Sequence, residues 1–159
     1  MPDTPAVHDR FTIERVFPHA PAKVFAAFST EDGKQRWFSG PNDMWEMVER
    51  KFDFSVGGIE TIEGRWKSGQ HHPEGTVTRM DLVYHDIVPD RRIVYAYRMA
   101  IDHKPISVSM TSIELMPAEG GTKLLLTEHG IYLDGYDDAG SRAHGVGWQI
   151  DKLGATLPD

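Results

Sequence analysis

Glu128 and His129 stand side by side in a chain of 159 residues. A carboxylate and an imidazole are common partners in general acid–base chemistry. Neighbours on an extended strand point to opposite faces, however, so these two cannot serve one reacting centre together, although either one alone can enter a cavity. Arg15 shares strand parity with Phe11, Ile13 and Phe17, so an inward apolar face carries its guanidinium inward, where it needs a partner. Tyr95, Tyr97 and Met99 recur two apart. Buried phenols need hydrogen-bond partners, and methionine adapts to irregular space. Arg15, Glu128 and His129 are the polar pocket candidates, and Met110 joins the methionine set. With Trp37, Phe38, Trp45, Phe54, Trp66, Tyr84 and Trp148, these tyrosines and methionines supply the walls that an apolar or aromatic guest requires. Ordinary core packing is the competing reading of every aromatic in that set.

Other chemistries find little support. His71-His72-Pro73-Glu74 reads as a turn and does not fix two ligands on one rigid face, so no metal is expected. Asp134, Asp137 and Asp138 lack the ligand order of a calcium loop. There is no Walker loop, no dinucleotide fingerprint and no Gly-x-Ser-x-Gly elbow, and no cofactor is expected. The absence of cysteine removes disulfides, thiolate nucleophiles and cysteine-held metals, and fits a reducing compartment.

The elements that position these residues follow from period. Phe11–Phe17 alternates as a strand and stops at Pro18. Pro21 opens a helix with Val24, Phe25 and Phe28 on one face, and Thr30 caps a second short helix. Strands are expected at 47–56, 59–67, 75–88 (with an irregularity), 92–99, 106–115 and 122–131, with a hairpin turn at Ala118-Glu119-Gly120-Gly121. Ala143, Val146, Ile150, Leu153 and Leu157 step by threes and fours, which predicts a helix from Asp138 to Leu157. Its glycines disfavour a free helix but permit close approach to a sheet. Strand, two short helices, six strands and a long helix make an α+β fold. A curved antiparallel sheet grips one helix too slender to fill it, which leaves a cavity.

The composition is that of one globular domain, expected over residues 10–158 after a disordered lead over 1–9. Hydrophobic residues make up 40% and charged residues 26%. The net charge of -7 disfavours an electrostatic hold on nucleic acid or an anionic membrane. No apolar run reaches the roughly 18 residues of a membrane helix, and no signal peptide is evident, so a cytoplasmic protein is expected.

Taken in order, several segments resemble the Hsp90-ATPase-activator-like family. They are Phe11–Phe17, Ala20-Pro21-Ala22-Lys23-Val24-Phe25, Arg36-Trp37-Phe38 with Gly40-Pro41, Phe54-Ser55-Val56-Gly57-Gly58, 86–95, Gly121-Thr122-Lys123-Leu124 and Thr127-Glu128-His129-Gly130. That family belongs to the START-like, Bet v 1-like (SRPBCC) helix-grip superfamily, and the likeness runs from about Phe11 to Leu157. It implies a hydrophobic pocket under the long helix, used in the superfamily for lipids, hormones, polyketides or aromatic compounds. It also implies that the first and last strands are neighbours, which makes Glu128 the expected partner of Arg15. A structural ion pair is favoured there over an anion anchor.

Three functions follow as expectations. The leading one is binding of a small hydrophobic or aromatic molecule in the cavity between sheet and helix. The second is an enzyme of cyclase, dehydratase or hydrolase type using the same cavity, which needs two polar groups converging on one point. The third, implied by the family resemblance, is an Hsp90-type chaperone-associated domain. A homodimer through aromatics near Trp37 and Trp45 is a further expectation.

Overall fold

The computed structural model describes residues 6–41, 43–69 and 72–158. His71 of the histidine turn lies outside the described residues. The chain runs β1 (Val7–Phe17), α1 (Pro21–Ser29), α2 (Glu31–Gln35), β2 (Trp45–Phe52), β3 (Ile59–Trp66), β4 (Val77–Val88), β5 (Arg92–Ile101), β6 (Lys104–Ala118), β7 (Gly121–Tyr132) and α3 (Ala139–Thr156). All strands pair antiparallel in one sheet of order β1-β7-β6-β5-β4-β3-β2. β1 thus crosses over to pair with β7, as the resemblance implied, while the remaining strands meander.

Local chemistry sets the ends. Pro21 opens α1, and the Thr30 hydroxyl accepts from the Gly33 amide to start α2. Asp138 caps α3 by accepting from the Ser141 amide. The irregularity expected in the fourth strand is a bulge between Tyr84 and Asp86. Asp102 and His103 form the two-residue turn from β5 to β6, with φ of 49° and 69°, as a type I′ hairpin demands.

The core lies between the concave sheet face and the helices. α3 lies along β1, where Gly147 and Gly154 let the backbones approach. A Cβ at Gly154 would stand 2.6 Å from the Phe17 ring. Trp45 is held in the same way: a Cβ at Gly64 would overlap its indole, and one at Gly40 would meet its Cγ at 2.6 Å.

Some expectations need correction. β1 begins at Val7, so Val7, His8 and Asp9 of the expected disordered lead pair with Tyr132, Ile131 and Gly130. The second strand spans Trp45–Phe52 and not 47–56. Phe54 lies beyond it, its ring stacked on Phe52. Trp37 and Trp45 are buried, and the Trp37 indole N–H donates to the Ala27 carbonyl at 2.9 Å. The exposed aromatics invoked for a homodimer are therefore not there.

Candidate functional site

The inward face of the central strands is polar where a plain core would be apolar. Register places Tyr95 and Tyr97 of β5 opposite Thr111 and Ser109 of β6, and these opposite Glu128 and Gly130 of β7. Glu128 is 1% exposed and accepts two hydrogen bonds of 2.8 Å, from the Tyr97 hydroxyl and from Thr111 Oγ1. Arg142, one turn into α3, descends on this pair. Its Nη1 donates to the Tyr97 hydroxyl at 2.9 Å and lies 3.9 Å from Glu128. Its Nη2 donates to Ser107 at 2.7 Å and to Asp137 at 2.9 Å. The guanidinium carbon also stands 5.6 Å from the Tyr97 ring centroid and 5.5 Å from that of Tyr132.

Burial sets the titration of this cluster. It pushes the Glu128 carboxyl up, against hydrogen bonds from Tyr97 and Thr111 and the charge of Arg142, which pull it down. Burial and the nearby Glu128 charge hold the Tyr95 and Tyr97 phenols well above their ordinary range. Tyr132 is raised to about 12, chiefly by burial. Ser109 Oγ and the Tyr132 hydroxyl are buried with no partner among the described residues.

A second charged cluster stands at the other end of the same face. Lys34 of α2 is 4% exposed, and its ammonium donates to Glu60 of β3 at 3.0 Å. Tyr84 donates its hydroxyl to the same Glu60 oxygen. Burial lowers the Lys34 ammonium, and the Glu60 charge opposes that shift. The Lys34 ammonium also lies 4.5 Å from the Phe38 ring centroid. Tyrosines bridge the two clusters: Tyr84 to Tyr95 is 6.2 Å between ring centroids, and Tyr95 to Tyr97 is 6.0 Å. Phe11, Tyr95, Met99 and Val146 pack against the core and are only partly buried.

The candidates therefore divide. Glu128, Tyr84, Tyr95, Tyr97 and Met99 share the concave face. Phe38, Phe54 and Trp66 pack at the edge of the core. His129 points to the outer face, opposite in parity to Glu128, and is exposed. Met110 is likewise outward and 62% exposed, because inward parity on β6 belongs to Ser107, Ser109 and Thr111. Trp148 is 45% exposed, with Lys152 5.3 Å from its ring centroid.

Arg15 does lie on the face that α3 covers, but its partner is Asp151, at 2.6 Å from Nε. Glu128 is out of its reach. Arg15 is in register with Leu124, four residues along β7 from Glu128, a distance of about 13 Å. The residues that sequence patterning missed are Arg142, Lys34 and Glu60. Arg142 had a signal, since it precedes Val146 and Ile150 at helical spacing on the apolar stripe.

A seven-stranded antiparallel sheet closed by one long C-terminal helix, with two short helices after the first strand, is a helix-grip domain of the SRPBCC type. Such folds typically bind hydrophobic ligands. The chain belongs to the family of Activator of Hsp90 ATPase homolog 1-like proteins, whose model matches residues 18–157. The crystal structure of the Mll3558 protein from Rhizobium loti is 41% identical, with a TM-score of 0.81 over 95% of this chain and 98% of that one. A structure from Rhizobium leguminosarum is 34% identical, with a TM-score of 0.84 over 98% of this chain and 97% of that one. DynU16, from the dynemicin biosynthetic locus, shares the fold at 14% identity and a TM-score of 0.61, over 94% of this chain and 47% of that one. Among curated proteins, none matches this chain. No helix among the described residues is long and apolar enough to cross a membrane.

Proposed function

We propose that the chain binds a small hydrophobic or aromatic molecule on the concave face of the sheet, beneath α3. One observation carries this reading. Tyr95 and Met99 face inward at the middle of the sheet, yet their surfaces are not closed over, and beside them Ser109 and Tyr132 keep buried oxygens without partners. Buried polar atoms are normally satisfied by protein, water or ligand. A guest with an apolar body and a polar tip meets both needs.

Native mass spectrometry of protein after gentle extraction, with a thermal-shift screen of neutral aromatics, tests it. A co-purifying small molecule, or a melting shift that Ser109→Leu abolishes while the variant stays folded, is the expected result. A screen without shifts on a protein that carries no guest overturns it.

A second reading has its own support. The Tyr97 hydroxyl and Glu128 are a titratable pair 2.8 Å apart, with the carboxyl raised by burial. That is the equipment of an acid–base enzyme of cyclase, dehydratase or hydrolase type. Turnover of a bound guest that Glu128→Gln stops, with binding retained, would select it. Association with an Hsp90-type chaperone rests on the family description alone, and an ATPase-stimulation assay decides it.

A further inference from the structure

Arg50 is in register with Ile62, whose side chain is in the core, so β2 turns Arg50 toward the concave side. All three of its guanidinium nitrogens are shielded from solvent and have no hydrogen-bond partner among the described residues. A buried guanidinium without an acceptor is among the costliest arrangements a protein can hold. The diagonal neighbour, Glu60, does not relieve it. One Glu60 oxygen is taken by Lys34 and Tyr84, and the other is itself buried without a partner. Arg50 lines a cleft of about 410 Å³ together with Gln35, Ser39, Trp45 and Met47. That volume falls within the roughly 300–1,000 Å³ typical of small-molecule sites.

From this arrangement we infer that Arg50 anchors the carboxylate of a small monoanionic ligand whose apolar body lies against Trp45 and Met47. The planar guanidinium fork matches a carboxylate with two parallel hydrogen bonds, and water exclusion strengthens them. Among the described residues, Arg50 is the one charged side chain lining this cleft, so one negative charge fits better than two. Trp45 is rigidly held between Gly40 and Gly64 and offers a fixed wall, while Met47 is adaptable. This cleft at the β2 edge shares no lining residue with the region of Tyr95, Met99, Ser109 and Tyr132, so the inference goes beyond that reading and adds a second small-molecule site with its own ligand class.

Calorimetric titration of 3-phenylpropionate against its neutral amide, 3-phenylpropionamide, tests it. The wild type should bind the acid at least about tenfold more tightly than the amide, as a bidentate ion pair gives. Arg50→Met should remove that preference, with affinity for the acid falling to or below that for the amide. Arg50→Lys, which keeps the charge without the fork, should fall between. Because Arg50→Met deletes an unpaired buried charge, the ligand-free variant should melt no lower than the wild type. Should it not fold, the comparison passes to Arg50→Lys and Arg50→Gln. Acid and amide binding equally to the wild type, or a preference that survives in Arg50→Met, overturns the carboxylate anchor while the small-molecule reading stands. Absence of binding by both probes, with no neutral aromatic binding either, removes both.

Discussion

The Tyr97 hydroxyl donates to Glu128 at 2.8 Å while accepting from Arg142 at 2.9 Å. One phenol thus joins a strand carboxylate to a helix guanidinium that are themselves 3.9 Å apart. The link ties β5, β7 and α3 together on the inward face of the sheet. Its value is asymmetric, since losing one member strands two others.

Tyr97→Phe should therefore destabilise the protein by about 1–3 kcal/mol, more than the loss of a surface hydroxyl, because Arg142 loses an acceptor and Glu128 a donor. Urea denaturation at neutral pH measures it. An effect near zero would mean that water replaces the hydroxyl without cost.

Glu128 predicts a particular pH dependence. Its carboxyl is raised in the folded protein, mainly by burial. The folded state thus holds the proton more tightly than the unfolded state, and the associated stability is complete below the ordinary carboxylate range. It is lost as pH rises from that range through the raised folded value. Relative to wild type, Glu128→Gln should lack this falling component. Chemical denaturation of both proteins, followed from the ordinary carboxylate range upward in pH, provides the difference curve. A flat difference would show that burial does not govern Glu128.

The Lys34–Glu60 pair is dry on both sides, with side-chain exposures of 5% and 0%. Removing one partner leaves a buried charge, so Lys34→Met should cost about 3–5 kcal/mol. Lys34→Met combined with Glu60→Gln should recover a large part of that loss. A double-mutant cycle by thermal or urea unfolding reads the coupling. Simple additivity of the two single changes would dismiss the pair as an energetic unit.

Arg15 and Asp151 present the opposite case. Their side chains are 38% and 60% exposed, so solvent screens them. Arg15→Met should change stability by less than about 1 kcal/mol and leave ligand affinity intact. The outward residues Met110 and His129 should behave likewise when replaced by alanine. Loss of ligand binding in any of the three would move the site away from the concave face.

Much of the fold is legible without coordinates, because its signals are local. Period-two alternation marks β1, β5 and β6, and the three-and-four spacing of Val146, Ile150 and Leu153 marks α3. Pro21, Thr30 and Asp138 fix helix starts through bonds to residues close by in sequence. The bulge in β4 and the opposed faces of Glu128 and His129 follow from the same short-range rules.

The site is less legible. Alternation separates the two faces of β6, yet only packing decides that Ser109 and Thr111 are the inward set and Met110 the outward one. Arg15 illustrates a different limit. Its inward parity is readable, but its partner depends on where α3 crosses β1, which places Asp151 and not Glu128 beside it. Arg142 meets Tyr97 across 45 residues of sequence, and Lys34 meets Glu60 across 26. The sequence alone determined which elements form and in what order, because those choices rest on neighbours a few residues apart, while strand pairing extended β1 back to Val7 and ended β2 at Phe52. The tertiary structure alone decided which charges are buried together, because that depends on strand register and on the course of α3 over the sheet.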